Sequence, residues 1–147
     1  KTYEAISYLA KTIMDPIVEK YGQPQITYGL CSHNLQKHIK KSVAPSLDQH
    51  AGNERNSKGN LICPRGGFAV DFKIEKIPTD ILACYIVKNL DFDRLYFYGS
   101  DRPVHLSATQ GISNQAIVIF RNTKNRRTPK NLTVRQFLDL MIRRIES

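Results

Sequence analysis

The chain has 147 residues, 41% of them apolar and 24% charged, which is one domain's worth and enough to bury a core. No apolar run approaches the roughly 20 residues of a membrane span, and three cysteines are too few and odd in number for a disulfide-stapled mini-protein. Twenty-two Lys and Arg against thirteen Asp and Glu give a net charge of +9. That field favours anionic partners, either nucleic acid or an acidic polymer such as cell wall, although a basic soluble protein needs no such partner.

Residues 3–21 read as a helix, with Ile6, Leu9, Ile13 and Ile17 at helical spacing. Pro16 is expected to kink it, or to restart it with Asp15 as cap, and Gly22 and Pro24 end it. Residues 25–30 suit a short strand, and 33–42 a basic helix carrying Lys37, Lys40 and Lys41. Residues 44–66 are rich in Gly, Pro and Asn and read as a long loop, a length that usually signals function. GFAVDFKI (67–74) alternates Phe68, Val70 and Phe72 with Ala69, Asp71 and Lys73, the pattern of a half-buried strand.

A helix follows Pro78, with Ile81, Leu82, Tyr85 and Ile86 on one stripe. Segments 94–99, 104–107 and 116–120 read as strands. RNTKNRRTPK (121–130) holds five cations and no acid and reads as a solvated loop, with Arg121, Lys124, Arg126, Arg127 and Lys130 free to meet a polyanion. The last helix opens at Thr133, which forms a capping box with Gln136, and its apolar stripe is Val134, Phe137, Leu138, Met141, Ile142 and Ile145. There is no repeat and no interdomain linker. The order of elements predicts one α+β domain over 1–147, a mainly antiparallel sheet covered by the first and last helices.

His50, Asp71 and His105 stand out chemically. Two imidazoles and a carboxylate suit a catalytic zinc with an open fourth position, whereas a lone His in a strand is more often a satisfied structural residue and Asp71 alone also suits a buried hydrogen-bond acceptor. His33 and His38 lack the spacing of a metal-binding helix face, and Cys63 has no second Cys at CxxC spacing. Arg65-Gly66-Gly67 suits either an anion cradle or a turn leading into the strand, and Tyr96, Phe97 and Tyr98 either stack bases or alternate in burial along a strand. The cysteine usage favours a reducing compartment, and the start at Lys1 suits a processed or trimmed piece.

Taken in order, these segments resemble the zinc D-Ala-D-Ala carboxypeptidase and endolysin group, whose fold is shared with the Hedgehog signalling domain. Residues 8–32 resemble that group's first helix and following strand. LDQHAG (47–52) is similar to its Ser-x-His-x-x-Gly segment, GFAVDF (67–72) to Gly-x-Ala-x-Asp, and PVHLS (103–107) to its "WVHLS". The resemblance implies a Hedgehog/DD-peptidase-like fold and a zinc ion held by His50, Asp71 and His105. It also implies hydrolysis of an amide bond in a peptide or peptidoglycan stem peptide.

The departures are specific. The compact family motif places its first His and the Asp seven apart, whereas here the gap is 71 − 50 = 21 residues. Cys31 stands where the family has a substrate-binding Arg, and Tyr98 where an upstream Glu is expected. The acids open to the proton-accepting role are Asp101 and Glu54, and the side chains open to substrate contact are Arg65, Arg102 and Tyr98. The alternative expectation is a catalytically divergent domain of the same fold that binds nucleic acid or another polyanion.

Overall fold

The computed structural model describes residues 1–36, 38 and 44–146. Helix α1 (Thr2–Leu9) passes into a π-helical turn (Ala10–Met14) and then α2 (Asp15–Tyr21). The wider turn is explained by Pro16. Its ring has no N–H and crowds the carbonyl four residues back, so the ladder is re-phased just before it, the Asp15 N–H reaching the Ala10 carbonyl. Asp15 lies inside the restarted helix and makes no side-chain cap, unlike the expectation.

Strand β1 (Gln25–Tyr28) follows, then the short helix α3 (His33–Gln36). Lys37, Lys40 and Lys41 of the expected basic helix lie outside the described residues. Then come β2 (Phe68–Lys73), α4 (Thr79–Asn89), β3 (Arg94–Phe97), β4 (Val104–Ala108), β5 (Ala116–Thr123), β6 (Arg126–Leu132) and α5 (Val134–Glu146).

The strands form one mixed six-stranded sheet in the order β1-β2-β4-β3-β5-β6, in which only the β3–β5 pairing is parallel. The fold is therefore α+β, as the element order predicts. β6 is a correction: part of the 121–130 loop is a strand, paired with β5 around a two-residue turn at Lys124 and Asn125. Both turn residues have positive φ (45° and 65°), the geometry of a tight hairpin turn.

Period-two alternation sorts the side chains onto two faces. Phe68, Val70 and Phe72, Leu95 and Phe97, Val104 and Leu106, and Ile117 and Ile119 face the helices and form the core with Leu9, Ile13, Ile17, Leu82, Ile86, Phe137 and Met141. Phe72 and Phe137 are fully buried, which stabilises the fold by roughly 2 kcal/mol each. The capping box at the start of α5 is present, Thr133 and Gln136 exchanging bonds of 2.9 and 3.1 Å. Ile142 and Ile145 are exposed, however, as is Ile81 of α4, because each stripe is wider than the surface that covers it.

The opposite face carries a row set by strand register: Tyr28, Asp71, His105, Tyr96, Val118 and Asn131. Segment 44–66 covers part of this face. It contains two short 3-10 turns, Pro45–Leu47 and Gln49–Ala51, and a small loop closed by the Arg55–Leu61 bridge. Asn56 Oδ1 accepts the Lys58 and Asn60 amides within that loop, so the segment is built rather than structureless. Because helices cover one face of β4 and this segment covers the other, all five β4 residues are buried, His105 and Ser107 included.

Candidate metal centre

Asp71 and His105 face each other across the β2–β4 ladder, and His50 is brought over them by its 3-10 turn. The Asp48 carboxylate accepts the His50 amide at 3.1 Å, and the Cys31 amide donates to the His50 carbonyl at 2.9 Å. Cys31, Ala51 and Ile62 pack as a small second core beneath the turn, with Tyr28 against it.

One ligand atom from each of His50, Asp71 and His105 lies within 4.8 Å of the other two. His50 Nε2 is 3.2 Å and His105 Nδ1 2.8 Å from Asp71 Oδ1. The Gly29 carbonyl, which can only accept, lies 2.7 Å from His50 Nδ1, so that nitrogen carries the proton. In the neutral ring the His50 Nε2 lone pair then points at a carboxylate lone pair, and only a proton or a cation between them makes the contact favourable. Fixing the outer nitrogen on a backbone carbonyl is the usual way a metal-binding imidazole is oriented. The buried group can therefore hold a metal ion.

Rings complete the enclosure. Tyr96 stacks on His105 at 4.6 Å, and Tyr28 meets His50 edge-on at 4.3 Å. Beyond them Tyr98 stacks on Phe120 at 4.6 Å, with the Arg127 guanidinium 5.3 Å over the Tyr98 ring. Burial and the Asp71 charge push the Tyr98 hydroxyl up to about 12, so it keeps its proton.

Burial pushes the Asp71 carboxyl up, but with the imidazoles charged the hydrogen bonds from His105 and His50 and their charge outweigh it and hold it at about 2, below the ordinary 3.8. A depressed folded value means the stabilisation is fully present above about pH 4 and is lost as pH falls through 2. It amounts to about 2 kcal/mol. Acid unfolding of metal-free protein should therefore show a gap between wild type and Asp71→Asn at pH 5 that closes as the pH falls through 2. A gap that persists unchanged at pH 2 would contradict this assignment.

The other sequence candidates are scattered. Asp101 is exposed and lines a groove of about 410 Å3 with Gln25, Lys73 and Ser100, and Glu54 is half-buried in the covering segment. Neither joins the metal group or hydrogen-bonds to it. Arg65 Nη1 reaches the Leu47 carbonyl at 3.5 Å, within its own segment. Gly66 and Gly67 present their carbonyls to Gln49 and Asn53 in a turn leading into β2. Arg102 is exposed and, like Arg127, is close enough to oppose the rise of the Tyr98 pKa. Cys63 is buried, its thiol is pushed up by burial, and it is outside the metal group. All three cysteines are free.

Sequence reasoning missed the polar network that holds the His50 turn. Gln49 is 1% exposed. Its amide donates to Asp93 at 2.8 Å and to the Gly66 carbonyl at 3.2 Å, and it accepts from Ser107 at 2.7 Å. Gln49 precedes His50 and Ser107 lies two residues beyond His105, so one buried amide ties both histidine-bearing segments together. No local signal marks it, because its partners are up to 60 residues away.

No family model matches the chain, and no curated protein and no solved structure matches it either. No helix among the described residues is long and apolar enough to cross a membrane.

Proposed function

We propose that this domain is a zinc-dependent hydrolase, a divergent relative of the D-Ala-D-Ala carboxypeptidase and endolysin group with a Hedgehog/DD-peptidase-like fold. In this reading it cleaves amide bonds in peptides of the peptidoglycan stem type. The observation that carries the reading is the convergence of His50, Asp71 and His105 within 4.8 Å, with His50 oriented by the Gly29 carbonyl. Two imidazoles and one carboxylate are a donor set that suits zinc and leaves a position open. Zinc bound there would lower the pKa of its water and polarise the scissile carbonyl.

The chain's own residues have defined parts in this reading. His50 keeps its proton on Nδ1 and offers Nε2. Asp71 stays ionised at any working pH. Tyr98, protonated up to about pH 12, is a donor available to a substrate oxygen beside the centre. Cys31, which stands where the family has its substrate-binding Arg, is fully buried and cannot replace it.

Two measurements test the proposal together: elemental analysis of protein purified without chelator, and release of D-alanine from peptides ending in D-Ala-D-Ala. The expected result is about one zinc per chain and zinc-dependent release that His105→Ala abolishes. Zinc without hydrolysis of any stem peptide would overturn the substrate assignment. Absence of bound metal at any zinc concentration would overturn the whole reading.

A further inference from the structure

The strongest charged feature among the described residues outside the candidate metal centre is the β5–β6 hairpin. β3 pairs with β5 only as far as Ile119, while β5 and β6 stay paired to Thr123 and Arg126. Residues 120–129 therefore form a two-stranded ribbon that continues past the end of the β3 pairing, and 121–130 are all exposed. The ribbon belongs to a long acid-free stretch: no Asp or Glu occurs between Arg102 and Leu138.

Strand alternation distributes the cations. The register Phe120↔Pro129 and Asn122↔Arg127 puts Arg127 on the metal-centre side, above Tyr98. The register Ile119↔Lys130, Arg121↔Thr128 and Thr123↔Arg126 puts Lys130, Arg121 and Arg126 on the other side, and Lys124 sits at the tip. Lys130, Thr128 and Arg126 are spaced two residues apart, roughly 7 Å per step along one strand.

β6 is an edge strand, and Pro129 with charges on β6 is a common way to blunt an edge. That purpose does not account for Lys124 at the tip, and beyond Ile119 no β3 residue pairs with β5, so Arg121 adds a cation on the second edge of the ribbon. Cations on both faces and the tip of an exposed ribbon suit a partner that surrounds it with negative charge. The B-form major groove, about 12 Å wide and walled by phosphates, admits a two-stranded ribbon. The deep, narrow major groove of A-form RNA does not.

We propose that this ribbon enters the major groove of duplex DNA and holds it through phosphate contacts from Arg121, Arg126, Arg127 and Lys130. The proposal is independent of the hydrolase reading. Phosphate contacts of this kind bind without sequence preference and weaken steeply with salt.

The test titrates the purified chain against a short DNA duplex, the matching RNA duplex and a single strand, each at two salt concentrations. Binding to the DNA duplex should be the tightest and should fall with salt, by roughly 0.9 log units per log unit of salt for each phosphate engaged. Arg121→Ala with Arg126→Ala should weaken it about tenfold or more and make the salt slope shallower by roughly two units. Lys11→Ala with Lys58→Ala removes the same charge from elsewhere and should change little. Thermal melting checks that both variants fold.

Equal losses for the two double variants would show diffuse attraction and overturn the ribbon site. RNA duplex or single strand binding as tightly as DNA duplex would overturn groove insertion. Absence of salt-dependent binding by the wild type would overturn the proposal entirely.

Discussion

Replacing any one of His50, Asp71 or His105 by Ala should lower zinc affinity by more than about 100-fold. Loss of a partner that merely orients a ligand already costs about 10- to 100-fold, and loss of the ligand itself costs more. The readout is thermal stability with and without zinc. Under the proposed reading wild type should gain stability as zinc rises, because an ion bound by the folded chain and only weakly by the unfolded chain shifts the equilibrium toward the fold. The three variants should melt at temperatures independent of zinc.

The variants should differ without metal, and that difference checks the geometry. Asp71→Ala removes the carboxylate that both imidazoles contact and the roughly 2 kcal/mol that goes with its lowered pKa. His50→Ala removes the Gly29 contact and the ring against Tyr28. His105→Ala leaves Tyr96 unstacked. Asp71→Asn keeps the shape of Asp71 while removing its charge, so it separates packing from electrostatics. Unchanged zinc binding by any single Ala variant would show that its residue is no ligand.

How far the sequence showed this centre depends on which interactions are local. Asp71 was legible because it lies on the polar side of an alternating strand, and its neighbours Phe68, Val70 and Phe72 fix which face meets the helices. The capping box at Thr133 was legible because both of its bonds lie within three residues. β6 was not legible. RNTKNRRTPK has no apolar alternation, since neither face of that strand is covered, and its turn uses Lys124-Asn125 without the glycine that marks such turns. The π-helical turn before Pro16 was legible only as a break. The Gln49 network was invisible because its bonds to Ser107, Asp93 and Thr109 depend on where the sheet brings β4.

Substituting Gly67 by Ala should cost about 3 kcal/mol and roughly 10 °C in melting temperature. Gly67 has φ +70°, where a side chain is strained by about 1 kcal/mol. A Cβ there would also stand 2.5 Å from the Ala108 carbonyl and 2.2 Å from Thr109 Oγ1. The Thr109 side chain can rotate, but the Ala108 carbonyl belongs to a buried strand that is paired with β2 at Phe68. Relief therefore means opening the end of that ladder or displacing Thr109, whose hydroxyl donates to Asp93 at 3.2 Å and lies 3.3 Å from the Gln49 amide. Either movement loosens the turn that carries His50, so zinc affinity should fall together with stability. Gly59→Ala is the matched control: its φ is +81°, equally unfavourable, but nothing lies within 4 Å of its added methyl. It should cost only about 1 kcal/mol of backbone strain and leave zinc binding intact. Chemical denaturation of the two variants side by side measures the difference, and equal losses would show that close packing of Gly67 against β4 contributes nothing.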